Sequence, residues 1–161
     1  MQLLLIPILL ILGIIIYQDF TSRSIHWFTL PPLFIGLTIY TFDKLSFQDI
    51  IFNFLFIIVI LGSLVVYLRF REGKWVNPTK SFFGWGDILF LFAITPSEST
   101  RDFMFLFIIG TTFSLLLTLT LRLMSTKFDV IPYAGMFSIF IISHLIYSYM
   151  NPNFSFVKLL N

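Results

Sequence analysis

The sequence has no cysteine. This excludes a disulfide scaffold, a cysteine-ligated zinc site and a thiol nucleophile. Charge is scarce: Asp, Glu, Lys and Arg make up 11% of the 161 residues, against about 25% in an ordinary globular chain. There are two histidines, and no cluster of them with acids that reads as a metal site. No phosphate-binding loop, Ser-His-Asp arrangement, low-complexity tract or convincing internal repeat is visible. What is abundant is apolar surface. Hydrophobic residues make up 58% of the chain and phenylalanine alone numbers 22, and mean hydropathy is +0.96. Much of any small soluble domain faces water, so a soluble fold of this size could not hide that surface. A cytosolic enzyme, a nucleic-acid binder and a disordered protein are excluded, which leaves a bilayer protein.

A bilayer core needs about 20 mostly apolar residues per helix. Six stretches meet or approach this: Gln2 to Phe20, Ile25 to Phe42, Ile50 to Leu68, Phe82 to Thr95, Phe103 to Leu121 and Val130 to Met150. The first has no Lys or Arg ahead of its apolar run and no A-x-A-like cleavage site. It is expected as a retained helix rather than a signal peptide. The expected architecture is an all-α polytopic membrane protein with six transmembrane helices, a single integral-membrane domain over residues 1–161.

Charges cluster between the spans, and alternate loops differ. Arg23, Arg69, Arg71, Lys74, Lys80, Arg122 and Lys127 fall on one side, which is seven of the ten basic residues. Lys44, Arg101 and Lys158 fall on the other. Basic residues collect in cytoplasmic loops, so the expected topology has the N- and C-termini outside and loops one, three and five inside. Anionic lipid headgroups suit the basic inner loops, although orientation alone accounts for these residues equally well.

Two acids stand apart from the loop charges. Asp19 closes the first span and Asp87 lies near the start of the fourth. A charge inside a span costs roughly 2.5–3.5 kcal/mol on the insertion scale, so such residues invite a functional reading. Span one ends at the face where Asp19 lies, spans two and three go out and come back, and span four starts at that same face. Both carboxylates are therefore expected at one leaflet, whichever way up the protein sits. Brought together in a partly dry site, two such groups share a proton because both cannot ionise easily. The ionised one takes a proton from water while the protonated one donates to a scissile carbonyl. This chemistry needs no metal and no cofactor. Gly84 and Gly86 fit the same picture, since glycine lets a backbone approach closely and an extended peptide can pair with exposed main chain beside Asp87. Taken singly, each feature also has a bland reading: Asp19 as a headgroup-zone helix end, Asp87 as a first-turn acid favoured by the helix dipole, and Gly-x-Gly as a close-packing site.

Gly84-Trp85-Gly86-Asp87 resembles the Gly-x-Gly-Asp motif of intramembrane aspartyl proteases. Asp19-Phe20-Thr21-Ser22-Arg23-Ser24-Ile25 resembles the Asp-x-x-x-Arg-x-Ile pattern of type IV prepilin peptidases and their archaeal preflagellin relatives. Ile131-Pro132-Tyr133-Ala134-Gly135 is similar to the Ile-Pro-Phe-Gly-Pro stretch at the last span of those enzymes. His26-Trp27 stands where the family usually has Pro-Asn, Leu89 where it usually has lysine, and Ala134-Gly135 in place of Gly-Pro. Signal peptide peptidases and presenilins share Gly-x-Gly-Asp, but their Tyr-Asp and Pro-Ala-Leu stretches are missing here.

The resemblance implies an aspartic endopeptidase of the plasma (inner) membrane with catalytic Asp19 and Asp87. Its substrate would be a prepilin-like precursor with a short basic leader, a glycine before the cut and an apolar helix after it, cleaved at the cytoplasmic face before pilus or secretion-filament assembly. Arg23 is the third residue singled out, as a charge partner near Asp19 or a phosphate anchor. Larger relatives carry a cytosolic insertion after span one, often with paired cysteines, and a second methyltransferase activity. Here that loop is short and cysteine is absent, so cleavage without methylation is expected. Two other readings stay open: a non-enzymatic small carrier whose aspartates bind a cation or proton, and an inactive homologue that only binds a filament precursor.

Overall fold

The computed structural model describes residues 2–72, 84–124, 132–151 and 154–157. Several residues of the charge and span assignments, namely Lys74, Trp75, Lys80, Phe82, Phe83, Lys127, Asp129, Ile131 and Lys158, lie outside the described residues. Those described form helices and connections, with no strand among them. Among the described residues six α-helices follow in order: α1 (Gln2–Ser22), α2 (Leu30–Tyr40), α3 (Phe47–Glu72), α4 (Trp85–Ala93), α5 (Thr100–Met124) and α6 (Tyr133–Met150).

Among the described residues, four helical stretches are long and apolar enough to cross a membrane: Leu4–Ser22, Phe47–Arg71, Thr100–Leu123 and Tyr133–Met150. The second and fourth expected spans are shorter. At about 1.5 Å per residue, the 11 residues of α2 and the 9 of α4 fall well short of a hydrocarbon core about 30 Å thick. Proline sets these lengths. Pro31 and Pro32 sit in the first turn of α2, where a missing N–H costs nothing. Before them the chain forms a 3-10 turn at Trp27–Thr29. Pro96 lies in a second 3-10 turn, Thr95–Ser97, that follows α4.

The helix α1 packs most extensively on α6, with α2 also against it. The buried positions of α1 are Leu5, Ile8, Leu12, Ile15 and Asp19. They step by three and four, which is one helix face. Asp19 therefore continues the seam of α1 that faces the bundle. Opposite it, α6 buries Ala134, Gly135, Phe137, Ser138, Ile141 and Leu145.

At the end away from Asp19, polar groups tie the helices together. Asn53 donates to the Thr95 and Glu98 carbonyls at 2.8 and 2.9 Å. His144 Nε2 lies 2.8 Å from Glu98 Oε1, and its ring stacks on Phe156 at 5.0 Å. Ser46 and Asp49 cap α3 reciprocally, and Asp49 also accepts from the Thr100 N–H and hydroxyl at the start of α5.

The α5–α6 contact depends on Gly110. A Cβ there would lie 2.8 and 2.9 Å from Phe137 ring atoms and 2.9 Å from Phe140. Phe137 is fully buried and has little room to retreat. Gly110→Val is expected to destabilise the protein by about 2 kcal/mol through overpacking. Denaturation in detergent should show the loss, and a midpoint equal to wild type would contradict this account of the contact.

Candidate active site

The first turn of α6 organises the site. A helix begins with backbone N–H groups that lack intrahelical partners. Usually a Ser, Thr, Asp or Asn side chain at the N-cap accepts from one of them. Here the N-cap is Pro132, and no side chain of that residue serves. The unpaired amides meet two carboxylates brought in by other helices. Gly135 N–H donates to Asp19 Oδ2 at 2.6 Å, and Ala134 N–H donates to Asp87 Oδ1 at 3.3 Å.

The structure therefore brings Asp19 and Asp87 together, from the end of α1 and the start of α4, on two consecutive amides. They are close enough for the Asp19 charge to act on Asp87. Asp19 is buried and Asp87 half-buried. The positive end of the α6 dipole points at both and favours negative charge there.

Gly84 is the N-cap of α4, and its N–H donates to Asp87 Oδ2 at 3.3 Å. Each oxygen of Asp87 thus has a backbone donor. Gly84 has φ −67° and ψ 148°, which any residue adopts, so no unusual backbone requires glycine. Gly86 meets the chain itself: a Cβ there would lie 3.2 Å from Ile25 Cβ and 3.4 Å from Ile25 N. Its small size lets the segment after α1 lie against α4. Arg23 ends α1 with φ 53°, a left-handed conformation uncommon outside glycine, and its charge acts on Asp19. Leu89 is exposed and takes no part in the hydrogen bonds to the dyad.

Three groups at the site were not singled out individually from the sequence. The Ala134 and Gly135 amides are backbone, and their trace was the Ile-Pro-Tyr-Ala-Gly stretch. The third is the Tyr133 hydroxyl, 3.1 Å from Thr111 Oγ1 on α5; Thr111 is one of several hydroxyl residues on that helix, with Thr112, Ser114, Thr118 and Thr120, and nothing in the sequence sets it apart from them. His144 pairs with Glu98 at the opposite end of the bundle and lies apart from the dyad. Among the described residues, no group of His, Asp and Glu is arranged to hold a metal ion.

Two carboxylates held on consecutive amides, one buried and one half-buried, suit shared-proton chemistry on a water molecule and a carbonyl. No family model, curated protein or solved structure matches the chain. The functional reading rests on the residues and their geometry.

Proposed function

We propose that this protein is an intramembrane aspartic endopeptidase of the prepilin peptidase kind, with Asp19 and Asp87 as its catalytic pair. The observation that carries the reading is the meeting of the two carboxylates on the consecutive Ala134 and Gly135 amides. In the proposed reaction, the ionised carboxylate takes a proton from water as the water oxygen attacks the scissile carbonyl carbon. The protonated carboxyl donates to the carbonyl oxygen. When the C–N bond breaks, the carboxyl that took the water proton gives it to the leaving amine, a hydroxyl of the tetrahedral diol returns its proton to the other carboxylate, and the dyad again holds one proton.

In this reading the chain crosses the membrane six times with both termini outside, and the dyad faces the cytoplasm. The packing is compatible with that path, since the end of α1 and the starts of α4 and α6 meet at the dyad. The short spans are the apolar stretches Trp27–Tyr40 and Trp85–Ser97. Short spans thin the bilayer locally, which brings the aspartates nearer to cytoplasmic water. The seven basic residues assigned to the inner side support the orientation. A reporter inserted near Gly73 is expected to read as cytoplasmic and one fused after Asn161 as outside; both positions lie outside the described residues. The opposite pair of signals would put the dyad on the wrong face for a prepilin leader.

The proposed substrate is a precursor with a short basic leader, a glycine at the junction and an apolar helix that can lie beside the bundle. Co-expression of the protein with such a precursor in a host lacking its own leader peptidase tests the activity. A leader-sized mobility shift is expected, and an uncut precursor would refute it. The new N-terminus is expected to be unmodified in mass spectrometry. A methyl group whose presence depends on this protein would overturn that part of the reading.

A further inference from the structure

The amides that hold the dyad belong to a helix start with no cap of its own. Something else must fix its rotation and depth, because a small turn of α6 would move both N–H groups at once. Tyr133, the first residue of α6, is the connection. Its hydroxyl meets Thr111 Oγ1 at 3.1 Å, and its ring lies 5.7 Å from that of Phe137, one turn later on the same helix. At Gly110, beside Thr111, α5 comes close to Phe137. The hydroxyl ties the first turn of α6 to α5, while the ring packs along α6 on Phe137. Tyr133 directly precedes Ala134, whose N–H holds Asp87, and its hydroxyl lies within electrostatic reach of that carboxylate.

We infer that Tyr133 is a positioning residue of the active site: through Thr111 it fixes the first turn of α6, and with it the two amides that orient Asp87 and Asp19. The inference rests on the proposed peptidase activity. It assigns α5, which contributes no acid to the dyad, a part in catalysis. The hydroxyl pair holds the carboxylates before substrate arrives, so its loss acts on turnover rather than on substrate affinity.

The test uses the full-length protein in membranes with the basic-leader precursor. Tyr133→Phe keeps the ring and removes the hydroxyl, while Thr111→Val keeps the shape and removes its partner. Each is expected to lower kcat about tenfold, the effect of one hydrogen bond lost on the way to the transition state, with KM and membrane level unchanged. The double variant should be no slower than either single one, because both remove the same contact. Thr111→Ser, which restores a hydroxyl, should recover most of the turnover. Wild-type kcat in both single variants would overturn the inference, as would a loss confined to KM or fully additive losses. If Tyr133→Phe fails to accumulate, Thr111→Val and Thr111→Ser decide by the same criteria. A wild-type protein that leaves the precursor uncut overturns the peptidase reading and this inference together, whereas an active wild type with indifferent variants overturns this inference alone.

Discussion

Asp19→Asn and Asp87→Asn are each expected to reduce leader cleavage to background, a fall of about a thousandfold or more. In the proposed reaction one carboxylate is ionised to take a proton from water and the other protonated to polarise the carbonyl. An amide at either position can do neither, so the proton cycle stops. The double variant should be no worse than either single one, because groups that act as a unit do not give additive losses.

The two variants should differ in stability. Among the described residues Asp19 accepts one backbone hydrogen bond, from Gly135, and the asparagine oxygen can replace it. Asp87 accepts on both oxygens, from Ala134 and from Gly84. Asparagine has one acceptor and would turn an N–H toward the second donor. Asp87→Asn is therefore expected to lose about 1 kcal/mol, while Asp19→Asn stays near neutral. Asp43→Asn, at an exposed acid in the connection between α2 and α3, serves as the control and should cleave normally. Near-normal cleavage by either dyad variant would show that the catalytic pair is assigned wrongly.

The dyad is legible in the sequence because a carboxylate in an apolar helix is costly and therefore conspicuous. Counting passes places the two acids at one end, and in the structure they meet there. The partner that joins them is not legible, since every residue but proline carries a backbone N–H and none announces which helix start lacks a cap. The buried face of α1 is hidden for a different reason. Ile6, Leu10 and Ile14 are exposed, yet they are as apolar as the buried Ile8, Leu12 and Ile15. A helix apolar all round gives no periodic signal. The start of the second apolar helix is obscured in the same way, because Trp27 and Phe28 in the 3-10 turn ahead of α2 extend its apolar run. Pro31-Pro32 is the clue to where α2 begins. Glu98 reads as one more loop charge until His144, far along the chain, is seen 2.8 Å from it.

Gly135→Ala should reduce cleavage about 10- to 100-fold while leaving the protein folded in the membrane. A Cβ at this position would lie 3.1 Å from Asp19 Oδ2 and 3.1 Å from two atoms of the Phe20 ring. That is closer than a settled contact allows, so the carboxylate or the ring must give way. Phe20 is only partly buried and can absorb some of the strain, which is why the fold should survive. Asp19 has less freedom: it is buried, and its oxygen is held by the N–H of the substituted residue at 2.6 Å. Any retreat lengthens that bond and moves the carboxylate relative to Asp87. A displacement of about 1 Å in a catalytic group can cost about a hundredfold in rate, so a shift of a few tenths of an ångström should fall below that ceiling and still be measurable. Gly135→Val, with a larger side chain against the same atoms, should be close to inactive. Gly13→Ala is the matched control on α1, because a Cβ there meets nothing within 4 Å, and its cleavage should equal wild type. If Gly135→Ala kept more than half of wild-type turnover, Asp19 would not depend on this close approach, and the amide pair would lose its place in the catalytic argument.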